Sequence, residues 1–280
     1  VRTQAPFAES PEFQRLLRRD SRSDLVRIAL EIARDAYPNL DIDHYLGKID
    51  ALAGRVRDRC PPGAKPRSLL GQINWVLFVE EGFQGNTEDY YDPRNGYLNQ
   101  VIDRKTGIPI TLSVLYASIA AGAGLEMAGV NLPAHFMLRV GSGDSTIFVD
   151  PFHAGEVLDR RGCERRIAQL VGQDVTLSNL QLAPCSHDLV VARMLRNLKT
   201  IYLEQHDYPA ALPILRRLAA LNPSDPHEQR DLGMLCLQLD HPAEAITPLQ
   251  AYLDARPHAP DADAVLPLLR AARRNVALRN

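Results

Sequence analysis

The order of apolar and polar positions divides the chain into a helical opening, a mixed middle and a helical end. In the opening, Phe13, Leu16 and Leu17 stand at helical spacing, and Leu25, Ile28, Ala29 and Ile32 continue it. Ser23 or Asp24 suits the N-cap, and Tyr37-Pro38 ends the helix because a proline disfavours helical geometry at the residue before it. Residues 41–59 repeat the theme, with Tyr45, Leu46, Ile49, Leu52, Ala53 and Val56 in one stripe, closed by Pro61-Pro62-Gly63. A further helix is predicted over about 68–81, where Leu69, Leu70, Ile73, Trp75, Val76, Leu77 and Phe78 make it apolar nearly all round and so imply burial.

The middle changes period. After the turn-rich stretch 82–99 comes Gly107-Ile108-Pro109, an apolar helix over 110–123 and a break at Gly124-Leu125. Strands are predicted around Met127 to Val130, over Phe136 to Val140 with His135 at their head, and over Ile147 to Asp150. Long loops without their own periodicity often carry function. The stretch 82–99 therefore has two readings: a surface loop pinned by Tyr90, Tyr91 and Tyr97, or a cleft wall in which Tyr91, Asn95 and Asn99 line the approach to Pro109. Residues 151–155 form a turn, 156–173 carry short helical material such as 161–170, and 176–185 reads as a linker.

From Ser186 the pattern is purely helical and repeats at a shift of 34. Ala211 falls on Ala245, Leu215 on Leu249, Asn222-Pro223 on Arg256-Pro257 and Ile201 on Leu235. That is the tetratricopeptide period, two antiparallel helices per unit with a small residue at their crossing and a proline at the close. Two copies fall short of a free-standing solenoid, so the preceding core is expected to cap one end and a helix over 262–277 the other, with Pro267 in its first turn or kinking it. Such pairs present a face for peptides, or else serve to bury the core's exposed side.

Bulk properties narrow the function classes. At 280 residues, one large or two modest domains are expected. Lys plus Arg (32) nearly balance Asp plus Glu (34), so no overall field draws in nucleic acid or anionic lipid. No apolar run reaches the ~20 residues of a membrane span. The first residues lack the pattern of a secretion signal, although a chain that starts at Val1 leaves an earlier segment open. Cys60, Cys163, Cys185 and Cys236 are scattered with no C-x-x-C pair, which argues against a zinc site and for reduced thiols in the cytoplasm.

Gly107-Ile108-Pro109, the helix to Gly124, Ala134-His135-Phe136-Met137-Leu138 and Phe148-Val149-Asp150-Pro151 resemble the transglutaminase-like core. In that superfamily a Gly-x-Cys opens the helix, a His begins the next strand, and an Asp in a hydrophobic-Asp-Pro turn orients the His. More narrowly, Asn86, Tyr90-Tyr91-Asp92-Pro93-Arg94-Asn95, Leu98-Asn99 and Gly107 to Ser113, followed by the repeats, resemble the SirB-type proteins of bacteria over roughly residues 10–260. The resemblance matches His135 to the family histidine and Asp150 to its acid, and implies a regulatory association without naming a partner. Pro109 stands where the cysteine belongs and carries no nucleophile, although it suits the first turn of a helix.

Ser113 lies one helical turn beyond Pro109, so a Ser113-His135-Asp150 arrangement is one reading, and a hydroxyl returned to its own helix at the i−4 carbonyl is the other. His135 and Asp150 equally suit a structural pair. His135, His153 and Asp150 offer three metal ligands, but the spacing supplies no geometry for them, and neither metal nor cofactor is expected. The expected protein is α+β: a helical layer and transglutaminase-like core over residues 1–184, then a tetratricopeptide-like module over 185–280 docked onto it. The expected function is a non-enzymatic cytoplasmic regulator or interaction protein that binds a protein or peptide through a degenerate cleft and the repeat surface. The alternative is a hydrolase or acyltransferase with a noncysteine nucleophile such as Ser113.

Overall fold

Among the described residues four α-helices precede the first strand: α1 (Pro11–Leu17), α2 (Leu25–Ala33), α3 (Ile42–Arg59) and α4 (Pro66–Asn74). The computed structural model describes residues 7–20 and 22–279, so the reading of the first six residues lies outside it. Asp24 caps α2 by accepting from the Val26 and Arg27 amides, and Asp41 caps α3 through His44. Glu31 of α2 is buried, and its carboxylate accepts from the amides of Glu12 (2.9 Å) and Phe13 (2.8 Å) in α1. Two amides that a helix start leaves without partners are thereby satisfied, and a buried charge is neutralised by a helix N-terminus.

The expected buried helix over 68–81 differs in its second half. After α4 the chain widens into a π-helical turn over Trp75–Glu80, which leaves Trp75 51% and Val79 60% exposed while Val76 and Leu77 stay in the core. Hydrogen bonding one residue further along the chain rotates the side chains away from the α repeat, so an all-apolar pattern no longer means burial. The Trp75 indole N–H donates to Glu80 at 3.0 Å.

The stretch 82–99 is ordered by short elements. Strand β1 (Gln84–Gly85) pairs in parallel with β2 (Thr106–Gly107) across a 3-10 turn (Pro93–Gly96) and α5 (Leu98–Arg104). Seven residues are too few for α5 to show a period in the sequence. Helix α6 (Pro109–Gly122) starts with Pro109 in its first turn and is buried through Tyr116.

Strands β3 (Ala128–Leu132), β4 (His135–Val140), β5 (Ile147–Asp150) and β6 (Glu156–Leu158) form an antiparallel sheet in chain order. Residues 156–158, expected to be helical, are instead the fourth strand, because Val157 and Glu156 pair with Val149 and Asp150 of β5. Helix α7 (Arg160–Val171) follows, with Asp159 accepting from the Gly162 amide at 2.7 Å. Alternation along β4 gives the sheet two faces. Phe136 and Leu138 line a cavity with α6, whereas Met137 joins Val130, Leu132, Phe148, Cys163 and Ile167 in a core beneath α7. The stretch read as a linker adds Leu177 and Leu182 to that same core, and the Leu182 carbonyl accepts from Arg139 at 2.8 Å.

The chain divides into two compact units between Met194 and Leu195, within α8 (His187–Glu204). In the second unit α9 (Tyr208–Leu221), α10 (Pro226–Gln238), α11 (Pro242–Ala255) and α12 (Ala262–Arg279) carry the 34-residue repeat. Ala211 and Ala245 are both fully buried, as are Leu215 and Leu249, so the matched positions do the same packing work. Gly233 is the close approach between α10 and α11, since a Cβ there would stand 2.5 Å from Leu249 Cγ. Pro267 lies inside α12.

Candidate functional site

His135 opens β4 and Asp150 closes β5, and the pairing of Leu138 with Val149 brings the two ends together on the α7 side of the sheet. The His135 Nε2 is 2.9 Å from Asp150 Oδ2. The same oxygen lies 2.8 Å from His153 Nδ1 and 3.1 Å from Nη1 of Arg166 in α7. The other oxygen accepts from the Phe152 amide at 3.2 Å. Asp150 and His135 are buried and His153 is 39% exposed. Burial pushes the Asp150 carboxyl up, but the hydrogen bonds and electrostatic pull of His135 and His153 outweigh it and hold the group well below the usual carboxylate range.

The carboxylate therefore faces both imidazoles and the Arg166 guanidinium and accepts from the Phe152 amide, and the Nε2 contact orients the His135 ring. Base catalysis would further require a nucleophile in hydrogen-bond contact with the imidazole. Among the described residues His135 has no hydroxyl or thiol partner. Ser113 belongs to the opposite face, where it lines the α6 cavity with Phe136 and Leu138, and its hydroxyl is buried with no hydrogen-bond partner among the described residues. The structure thus brings His135 and Asp150 together and leaves Ser113 apart from them. Its hydroxyl is not returned to its own helix either.

Cys163 is on the side of the acid, but its thiol is fully buried with Sγ 3.8 Å from Met137 Sδ. Burial first, then the charge of Asp150, pushes that thiol up to about 12, so it packs as a neutral apolar group. Pro109 is buried in the first turn of α6. The ligand atoms of His135, Asp150 and His153 lie within 4.8 Å of one another, close enough for a metal ion. However, the one carboxylate oxygen facing both rings also faces the Arg166 guanidinium, a cation that repels a metal from that position.

The three loop residues part company. Asn95 is buried, with Nδ2 donating to the Asp89 carbonyl at 2.8 Å and its own carbonyl accepting from Thr111 Oγ1 at 2.8 Å, so it ties the loop to the start of α6. Asn99 is buried within α5, where its Oδ1 has no hydrogen-bond partner among the described residues. Tyr91 is 61% exposed, its ring edge-on to Tyr90. Arg166 escaped sequence reasoning. Its one signal was a position one turn after Cys163 on a helix whose apolar residues face the sheet.

In the second unit, ion pairs join the first helices of successive hairpins. Arg196 and Lys199 of α8 bind Glu228 of α10 at 2.9 and 2.7 Å, and Arg230 of α10 binds Asp261 ahead of α12 at 2.7 Å. Met234 follows Arg230 by one turn on α10 and is 45% exposed.

Residues 43–196 match the model of the transglutaminase-like superfamily, and residues 198–270 that of a tetratricopeptide repeat. A UPF0162 protein of Xylella fastidiosa (strain Temecula1 / ATCC 700964) is 34% identical over 250 residues, 88% of this chain and 89% of that protein. One from Vibrio cholerae serotype O1 is 32% identical over 192 residues, covering 67% of this chain and 70% of its own. F-box only protein 21 of Homo sapiens is 40% identical over 116 residues, 39% of this chain and 18% of that protein. With such matches over most of its length, the chain belongs to the transglutaminase-like superfamily, among the UPF0162 proteins.

Proposed function

We propose that this protein is a non-enzymatic regulatory or interaction protein that engages a protein or peptide through its repeat surface, its transglutaminase-like core retained as a scaffold. One observation carries the reading. His135 and Asp150 are spent on each other and on Arg166, with Pro109 at the position of the superfamily nucleophile and no hydroxyl or thiol bonded to the imidazole among the described residues. A tetratricopeptide module with an exposed Met234 beside a charged ladder suits an extended partner of mixed polarity. The SirB-type likeness and the scattered unpaired cysteines support a bacterial regulator in the cytoplasm. No observation favours a serine nucleophile.

The test is complementation in cells lacking the protein. His135→Ala restores the wild-type phenotype if the core is a scaffold, and Met234→Glu does not if the repeat face takes the partner. Loss of function with His135→Ala in a chain that stays folded at the assay temperature would overturn the reading.

A further inference from the structure

The face of the sheet away from the His135–Asp150 pair holds a second, chemically distinct feature. Between α6, the strands β3 and β4, and the starts of α2 and α8 lies a cavity of about 500 Å³, within the range that takes small molecules. Its α6 wall is made of small residues, Ser113, Ala117, Ser118 and Ala121, opposite Phe136 and Leu138. Small residues alone would mean only a loosely filled space. Ser113 adds a second observation: it is fully buried, it lines the cavity, and among the described residues its Oγ has no hydrogen-bond partner. A serine inside a helix ordinarily spends its hydroxyl on the preceding turn, and leaving it unpaired in a protein interior is unfavourable.

Three carboxylates, Asp24, Asp50 and Glu126, line the cavity together with His187. The nearby guanidiniums are turned to other partners, Arg27 to Asp24 and Asp43 and Arg193 to Asn131 and the Leu132 carbonyl. Asp24 is occupied in capping α2, but Asp50 and Glu126 are exposed, and among the described residues their side chains enter no ion pair or hydrogen bond. Two unpaired carboxylates at the rim of an apolar wall attract a cation and disfavour an anion.

We propose that this cavity binds a small aliphatic ammonium compound, with its ammonium at Asp50 and Glu126, its alkyl chain along the small-residue face of α6, and a hydrogen-bonding group at its far end meeting Ser113. The site is independent of the non-enzymatic reading of the core, since it shares no residue with the His135 cluster. The same chemistry is carried by a free alkylamine and by a lysine side chain, and the probes separate the two sources.

The experiment is a calorimetric or NMR titration of the full chain with 6-amino-1-hexanol, hexylamine, 1-hexanol and N-acetyl-lysine methylamide. The amino alcohol should bind about fivefold or more tightly than hexylamine, which lacks the far hydrogen bond, and than 1-hexanol, which lacks the charge. Tighter binding of the lysine amide than of the amino alcohol would assign the site to a peptide side chain and overturn a small-molecule site. Ala117→Leu, which fills the space, should abolish binding. The paired Asp50→Asn and Glu126→Gln changes, both at the surface, should weaken it about tenfold without altering the melting temperature. Ser113→Ala should leave the fold intact, since no partner is lost, while bringing the amino alcohol down to the level of hexylamine. Equal binding of charged and uncharged probes, or binding undisturbed by Ala117→Leu, would refute the site.

Discussion

Replacing Asp150 by asparagine tests how much of the core hangs on one carboxylate. The change keeps the shape and removes the charge. If the amide oxygen takes the Oδ2 position, it still faces His135, His153 and Arg166, but its NH2 group then opposes the Phe152 amide, which now donates to Oδ1 at 3.2 Å. The reverse orientation sets NH2 against the Arg166 guanidinium and both imidazole nitrogens. A hydrogen bond to a charged group contributes ~1.5–3 kcal/mol. His135, at 2% exposure, counts in full, Arg166 in part, and the exposed His153 little. The sum is about 3 kcal/mol, the lower end of what breaking a buried pair costs.

Urea unfolding followed by tryptophan fluorescence reads this effect in the first unit, because Trp75 is the chain's single tryptophan. The sign with pH follows from linkage. The Asp150 carboxyl is lowered in the fold, so its contribution is complete above its ordinary range near pH 4 and is lost as pH falls through the folded value. The wild-type advantage should therefore be full at pH 7 and begin to narrow below about pH 4. A difference under about 0.5 kcal/mol at pH 7, or one that does not narrow below pH 4, would refute the reasoning.

Other positions give sharper local tests. Gly155 has φ +71, and a Cβ would stand 1.9 Å from Asn74 Oδ1, the acceptor of the Tyr116 hydroxyl at 2.8 Å; Gly155→Ala should cost about 3 kcal/mol in the same urea assay. Gly233→Ala drives a methyl against Leu249 between α10 and α11, and after the better helix propensity of alanine a net loss of about 1–2 kcal/mol is expected in a circular-dichroism melt. Cys163, its thiol pushed up to about 12, should resist iodoacetamide at neutral pH until urea unfolds the chain, as peptide mass spectrometry would show.

The longer amphipathic helices of both units were legible because each buries one stripe, α6 because it is apolar throughout, and the repeat because Ala211 and Ala245, or Leu215 and Leu249, meet the same packing demand 34 residues apart. Short elements were not. Three residues of β6 hold their conformation by pairing with β5, and seven of α5 complete too few turns for a period. Exposure of Trp75 depends on a π turn that the composition does not announce. At the site, the motif placed His135 and Asp150 at strand ends, where they are found. The side of the sheet each residue faces was hidden, because Phe136, Met137 and Leu138 are apolar on both faces and alternation cannot choose between them. That parity separates Ser113 from His135. The engagement of Arg166 depends on α7 folding back over β5, a long-range event without a local sequence signature.

The most direct measurement of the core's inertness is covalent labelling of the native chain with a fluorophosphonate and a vinyl sulfone, read by intact and peptide mass spectrometry alongside His135→Ala. An inert core predicts no adduct that depends on His135, at Ser113 or at any cysteine. An adduct at Ser113 in the wild type that disappears in His135→Ala would contradict it.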